Sequence, residues 1–246
     1  MMRLYRTVSC KESHLRVATD RFDELAAEVT RQRALLEAYI ERDPGFRCSL
    51  VPVGLLAGAP EIAQRMHRAA ALAGVGPMAA VAGAIAQMAA EAALNAGASE
   101  AIVENGGDIY LFSPEPVMVA LYTGSAALGG RLAFLVTAEM MPLSICSSSG
   151  RMGHSVSLGD CDLATVVSAD ACLADAVATR AGNAVRCDAD LEASARAVAA
   201  IAGVSGAVLV RGQRIALAGQ LPRLVRNADP ATRRKITRDR LCGPVP

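Results

Sequence analysis

The sequence contains no tryptophan, and aromatic residues make up only 3% of it, four Tyr and four Phe. A core drawn from this composition has to be made of thin side chains. Charge of one sign is also missing: 25 Lys+Arg against 24 Asp+Glu leave a formal net charge of +1. That balance excludes a generally basic nucleic-acid binder and an acidic, disordered chain. Lysine is nearly absent, with Lys11 and Lys235 the only two. The seven cysteines (10, 48, 146, 161, 172, 187, 242) are odd in number and contain no CxxC pair, and the three histidines (14, 67, 154) have no ligand spacing against them. A disulfide framework and a zinc site are therefore not expected, and buried, reduced thiols are. No apolar stretch of signal length precedes Cys10. The longest uncharged run, near Ala69–Ala86, is mostly Ala and Gly and is broken at Gly74-Val75-Gly76-Pro77. A membrane span needs about 20 predominantly apolar residues, so the expectation is a cytoplasmic protein with no membrane and no nucleic-acid partner. No fixed-period repeat is visible, which excludes solenoids and propellers.

What the chain does have is alanine, 49 of its 246 residues, within a hydrophobic fraction of 52%. That length holds one large domain or two small ones, with ample core. Leu4–Val8 and Leu15–Thr19 read as extended. Asp23–Glu41 carries Leu25, Val29, Leu35, Leu36 and Ile40 at helical spacing, and Asp43-Pro44-Gly45 ends it. Helices are also expected at Glu61–Ala73, Met78–Asn95, Ala169–Ala181 and Leu191–Ala202. Strands are expected at Ala101–Val103, Ile109–Phe112, Val117–Tyr122, Leu132–Thr137 and Ala164–Val167, with a closing hairpin of Val204–Val210 and Gln213–Ala218. The fold class is α+β, an antiparallel sheet core with packed Ala-rich helices. Residues 1–222 are read as a single domain and 223–246 as a basic tail. The tail carries a net charge of +5 and leaves −4 on the body. Its readings are a solvated or helical tail, which can pack on a neighbouring subunit, or an arm for an anionic surface. Ala-rich faces also make a homo-oligomer an expectation.

Four clusters can carry chemistry, each with a plainer reading beside it. In Gly74-Val75-Gly76-Pro77, Gly74 and Gly76 precede a helix, where backbone N–H groups can approach a phosphate, although Gly and Pro also simply break helices. Asn105-Gly106-Gly107-Asp108 lies between strand-like runs. A hairpin turn accounts for its glycines, whereas a ligand-facing loop would also account for Glu104 and Asp108. Cys146-Ser147-Ser148-Ser149-Gly150-Arg151-Met152-Gly153-His154 crowds hydroxyls and glycines beside an Arg and a His. Such a loop suits an anion, and His154 can move a proton near neutral pH; the plainer reading is a polar loop. No Gly-x-Ser-x-Gly elbow is present, and Cys146 is either a reactive thiol or a small buried hydrophobe. Asp175 and Thr179, four apart on a helix, form a hard-oxygen pair suited to Mg2+ held with water and phosphate, unless Asp175 is a capping acid and Thr179 a helix filler.

In this order the segments GVGPMAAVAGAIA (Gly74–Ala86), VENGGDIY (Val103–Tyr110), SSSGRMGHSVSLG (Ser147–Gly159) and LADAVAT (Leu173–Thr179) resemble the ApbE superfamily, most nearly its branch without a lipoprotein signal. The likeness runs over about residues 1–222. It implies FAD and Mg2+ at the site, with FMN transferred to a threonine hydroxyl of an acceptor protein, or FAD cleaved. By resemblance, Asp175 and Thr179 match the family's metal-binding Asp and Thr, and Asn105, Gly106, Gly107 and Asp108 its flavin-contacting Gly-Gly segment. Ser148, Ser149 and Gly150 match its Thr-Ser-Gly stretch, and His154 the His that follows, as the base. The family's Lys-Gly and Asp have no counterpart in Gly74–Gly83, and its His-Ile-x-Asp-Pro is here His154-Ser155-Val156-Ser157. These departures motivate two alternatives: a non-catalytic ligand-binding or scaffold protein of the same fold, and a thiol or sulfur-transfer protein using Cys146.

Overall fold

Alternate residues along the central strands belong to two different cores. In the computed structural model, which describes residues 3–123, 130–149 and 159–227, Val103, Tyr110, Cys146, Val166 and Leu209 pack with the helices. Their neighbours Ile102, Leu111, Ile145, Val167 and Val208 pack on the opposite side. Such period-two alternation with both faces apolar marks a sheet covered on both sides.

Among the described residues the sheet has eight strands. They are β1 (Arg6–Cys10), β2 (Ser13–Thr19), β3 (Ala101–Asn105), β4 (Asp108–Phe112), β7 (Leu143–Ser148), β8 (Leu163–Ser168), β9 (Val204–Arg211) and β10 (Arg214–Gly219), in that spatial order and antiparallel throughout. One face carries α1 (Phe22–Arg42), α3 (Glu61–Ala73), α4 (Val81–Asn95), α5 (Ala171–Ala184) and α6 (Asp190–Ala199), with a short α2 (Pro44–Cys48) between α1 and α3. The other face is covered by a three-stranded antiparallel sheet of β5 (Val117–Leu121), β6 (Leu132–Val136) and β11 (Arg223–Arg226). The α+β class with an antiparallel sheet core is thus what the chain adopts.

Of the few aromatic residues, Tyr39, Phe46 and Phe134 are fully buried. Elsewhere alanine does the packing: α4 buries Ala84, Ala86, Ala89, Ala90 and Ala93, and α5 buries Ala171, Ala174, Ala176, Ala178 and Ala181. Pro77–Asn95, a 3-10 turn running into α4, is long and apolar enough to span a membrane by composition. More than half of that stretch is packed inside the protein, against α1, α5, β3 and β4.

The structure revises two expectations. Cys146–Ser148, read as part of a polar loop, is the end of β7, and its serines disguised a strand flanked by β4 and β8. Arg223–Arg226, assigned to the tail on charge, pairs as β11 with β6, so the ordered body continues past residue 222. Arg223 and Arg226 are exposed and flank the half-buried Leu224 and Val225, and charge of this kind is common on an edge strand. The remaining basic residues of the tail, 228–246, lie outside the described residues.

Candidate functional site

Helix α5 carries two acids with separate roles. Asp170 is its N-cap, with Oδ1 accepting the Leu173 N–H at 3.1 Å. Asp175, further along, points at the start of α4, where its Oδ2 accepts the Gly83 N–H at 2.9 Å and the Ala82 N–H also bonds the carboxyl. The first turn of a helix has unpaired N–H groups and a positive dipole end, so an acid is favoured there. The capping reading of Asp175 therefore holds, though for a neighbouring helix. The approach depends on glycine, since a Cβ at Gly83 would stand 2.2 Å from the Ala171 carbonyl oxygen.

Asp175 is 8% exposed. Burial and then the nearby charge of Asp108 push its carboxyl well above the usual carboxylate range, against the pull of the Gly83 and Ala82 N–H groups. Thr179 follows one turn later on the same face and is half-buried. Gly182 comes three residues after that, where a Cβ would meet Ser148 Oγ at 3.7 Å.

Below α4 and α5 lies the turn between β3 and β4. Asn105 pairs with Asp108, and Asp108 with Cys146, so the three form a row across adjacent strands. All three are buried. Asn105 Nδ2 donates to the Ala82 carbonyl at 3.2 Å, tying the row to the same first turn of α4 that Asp175 caps. Gly106 has φ 71° and open space where a side chain would be, whereas a Cβ at Gly107 would lie 2.9 Å from the Ser147 carbonyl oxygen. The hairpin reading explains the first glycine. Close contact with β7 explains the second.

Burial raises the Asp108 carboxyl to about 7, against hydrogen bonds from the Cys146 thiol and the Ser147 N–H. Its Oδ1 is buried with no hydrogen-bond partner. Cys146 is fully buried, its Sγ lies 3.6 Å from the Ala171 carbonyl oxygen, and burial and the two acids push its thiol well above the usual value. A nucleophilic thiol needs an accessible, electropositive setting. Cys146 has neither, so the sulfur-transfer reading of this residue is corrected to a structural one.

At the end of β7, the Ser147 and Thr165 hydroxyls are 2.9 Å apart, and Ser148 and Ser149 are buried. Gly150 and His154 lie outside the described residues, and Gly159 resumes the chain close against the Gly182 carbonyl. Asp175 and Asn105 thus meet the same first turn of α4, Asp108 lies between Asn105 and Cys146 across the sheet, and Ser148 lies near Gly182, beyond Thr179 on α5. Gly74 and Gly76 have reasons of their own. Gly74 ends α3 in the left-handed conformation at φ 68°, and a Cβ at Gly76 would collide with the Ser49 carbonyl oxygen at 1.8 Å.

Sequence reading gave no separate role to Gly83, Gly182 or Gln87, whose Oε1 accepts the Ala171 N–H at 2.8 Å and so fixes the start of α5 on α4. The signal for Gly182 was available in its spacing, three residues after Thr179. Gly83 was visible only as one small residue among many. Among the described residues no three His, Cys, Asp or Glu form a ready metal cage. A cation here would have to complete its shell with Thr179, backbone carbonyls, water or ligand oxygens, which is how Mg2+ is usually held.

The family described as AbpE bacteria matches residues 5–205. A UPF0280 protein of Methanocella arvoryzae is 45% identical over 198 residues, 80% of each chain. Another from Methanothrix thermoacetophila is 42% identical over 225 residues, 89% of this chain and 91% of its own. Among solved structures, the apo flavinyl transferase ApbE of Pseudomonas stutzeri superposes with a TM-score of 0.58 at 12% identity, covering 88% of this chain and 94% of that one. The flavin transferase ApbE of Vibrio cholerae gives a TM-score of 0.53 at 11% identity, with 92% and 97% covered.

Proposed function

The chain belongs to the AbpE bacteria family, and from that membership we propose that it is an ApbE-like, Mg2+-dependent enzyme that cleaves the pyrophosphate of FAD, passing FMN to a hydroxyl of an acceptor protein or to water. The observation that carries this reading is the pair of buried carboxylates, Asp108 and Asp175, with the charge of Asp108 acting on Asp175 and no Arg or Lys among the described residues acting on either. Two acids and an orphaned oxygen in one buried place fit a divalent cation. Asp175 and Thr179 would hold it, and when bound it would neutralise the pyrophosphate and polarise the bond to be broken.

The chain's own residues have distinct tasks in this reading. The open turn at Gly106 lets a ligand approach the backbone. Asn105, Gly107, Ser148, Ser149 and Gly150 would contact the flavin nucleotide, and Gly74 and Gly76 would border the ligand in addition to their packing roles. His154 would accept the proton of the attacking hydroxyl. A cytoplasmic location belongs to the same proposal, in keeping with the six described cysteines, all free.

Purified protein given FAD and Mg2+ should release AMP, and Asp175→Ala should abolish release. Absence of FAD binding by fluorescence and calorimetry overturns the proposal. A second reading, a ligand-binding protein without chemistry, is favoured by Gly76, which packs against Ser49 in a segment with no lysine. A protein of that kind takes up FAD and leaves it intact with or without Mg2+.

A further inference from the structure

Asp108 is the acid whose purpose the fold leaves open. It caps no helix. Among the described residues it makes no ion pair, and its Oδ1 is buried without a partner. Isolated buried carboxyl oxygens of this kind are rare, because the desolvation of the group goes uncompensated. Nor is Asp108 needed to hold the turn: Gly106 and Gly107 make the turn geometry, and Asn105 ties it to α4 through the Ala82 carbonyl.

The Cys146 thiol and the Ser147 N–H reach the carboxyl, but no donor meets Oδ1, and a second acid lies nearby. Asp108 pairs across the sheet with Cys146, and Cys146 Sγ lies against the carbonyl of Ala171. That carbonyl is the one against which Gly83 packs, and Gly83 in turn donates to Asp175. Asp108, Cys146, Ala171, Gly83 and Asp175 therefore form a closed circuit, across which the charge of Asp108 acts directly on Asp175. Asp175 has committed Oδ2 to α4. The oxygen of the circuit with no donor to meet is Asp108 Oδ1.

We propose that Asp108 is a ligand of the divalent cation held by Asp175 and Thr179, bonding through the Oδ1 that the protein leaves without a partner. The β3–β4 turn then has two roles, contact with the flavin nucleotide through its backbone and with the cation through Asp108. Two carboxylates, a hydroxyl and phosphate or water oxygens make a hard, oxygen-only set suited to Mg2+, in which one or two protein acids are usual. The inference rests on the metal dependence proposed above, and the two fail differently.

The test uses Mn2+ as a spin-active probe, titrated into the full-length protein and followed by electron paramagnetic resonance, with and without ADP as a pyrophosphate donor. Wild type is expected to bind, and Asp108→Asn to bind at least about tenfold more weakly. Unchanged circular dichroism would show that the fold of the variant is retained. If Asp175→Asn loses Mn2+ while Asp108→Asn binds as wild type does, Asp108 is a structural acid and the inference is overturned, with the metal site intact. If wild type binds no Mn2+ in either condition, the metal dependence falls and the inference with it. Should Asp108→Asn fail to fold, wild-type crystals soaked in Mn2+ decide the matter: an anomalous peak at bonding distance from Asp108 Oδ1 is expected, and a peak bonded to Asp175 but out of reach of Asp108 overturns the proposal.

Discussion

Replacing Gly83 by alanine tests the geometry on which the site depends. The new methyl would stand 2.2 Å from the Ala171 carbonyl oxygen, 2.8 Å from its carbon and 3.0 Å from Asp175 Cβ. Ordinary contacts begin near 3.5 Å, so α4 and α5 must separate by about 1 Å. Overpacking of this kind costs about 1–3 kcal/mol. The same shift stretches the 2.9 Å bond from the Gly83 N–H to Asp175, a loss of roughly 0.5–1.5 kcal/mol. Against these stands the better helix propensity of alanine, which returns about 1 kcal/mol. The net expectation is a destabilisation of about 2 kcal/mol, or roughly 4–8 °C in Tm for a domain of this size. Gly54→Ala is the control, since nothing lies within 4 Å of the Cβ it would add and its backbone is ordinary; its stability should stay within about 0.5 kcal/mol of wild type. Urea denaturation followed by circular dichroism measures both. Helix propensity alone predicts that Gly83→Ala is the more stable protein, so a variant at or above wild-type stability refutes the close α4–α5 contact.

Other expectations follow from single residues. Brief treatment of the folded protein with a thiol reagent should label the exposed Cys48 and Cys187 and spare Cys146, as read by peptide mass spectrometry; equal labelling of Cys146 would mean it is not enclosed. Asp190 accepts the Arg186 and Cys187 N–H groups, each at 2.9 Å, and these bonds hold its carboxyl below the usual value. The folded state thus prefers the ionised form. The stabilisation is present above the unfolded value near 3.8 and is lost as pH falls through the lower folded value. Asp190→Ala should therefore have a lower Tm than wild type at pH 7, and the gap should narrow as pH falls below 3.8 and through the lower folded value; a gap that does not narrow in acid would show that the loss is not electrostatic. Mn2+ or Mg2+ should raise the Tm of wild type in proportion to the logarithm of free metal, and Asp175→Asn should show no such rise in a scanning fluorimetry series.

Much of the fold was legible because its elements announce themselves by period. The helix expected over Asp23–Glu41 is α1 at Phe22–Arg42, and the hairpin expected around Arg211-Gly212 is β9–β10. What escaped were strands whose pattern is set by their neighbours. β7 reads Leu-Ser-Ile-Cys-Ser-Ser, and its polar residues find partners inside the fold: Ser144 Oγ donates to the Ser168 carbonyl at 2.7 Å, and the Ser147 hydroxyl meets Thr165. Hydroxyls satisfied across a sheet look the same in sequence as hydroxyls in water. The candidate site stands in the sequence as a set of residue types, Asn105, Asp108, Ser148, Asp175 and Thr179, because acids and glycines in apolar surroundings are conspicuous. The contacts that assemble it do not, since Gly83 meeting Ala171 and Asn105 meeting Ala82 are distances between segments far apart in the chain.

The scarcity of large side chains and the two buried acids are connected through that assembly. Asp175 reaches the first turn of α4 only because α4 and α5 touch at Gly83 and Ala171, and helices come this close only when small residues line both. The same closeness excludes water from around Asp108 and Asp175, which strengthens their mutual repulsion. Protonation relieves that repulsion, and a bound cation would do the same. An Ala-rich junction thus sets both the reach of Asp175 to α4 and the burial of the two acids. Gly83→Ala should accordingly weaken Mn2+ binding along with stability, whereas an overpacking change remote from α5 should lower stability alone.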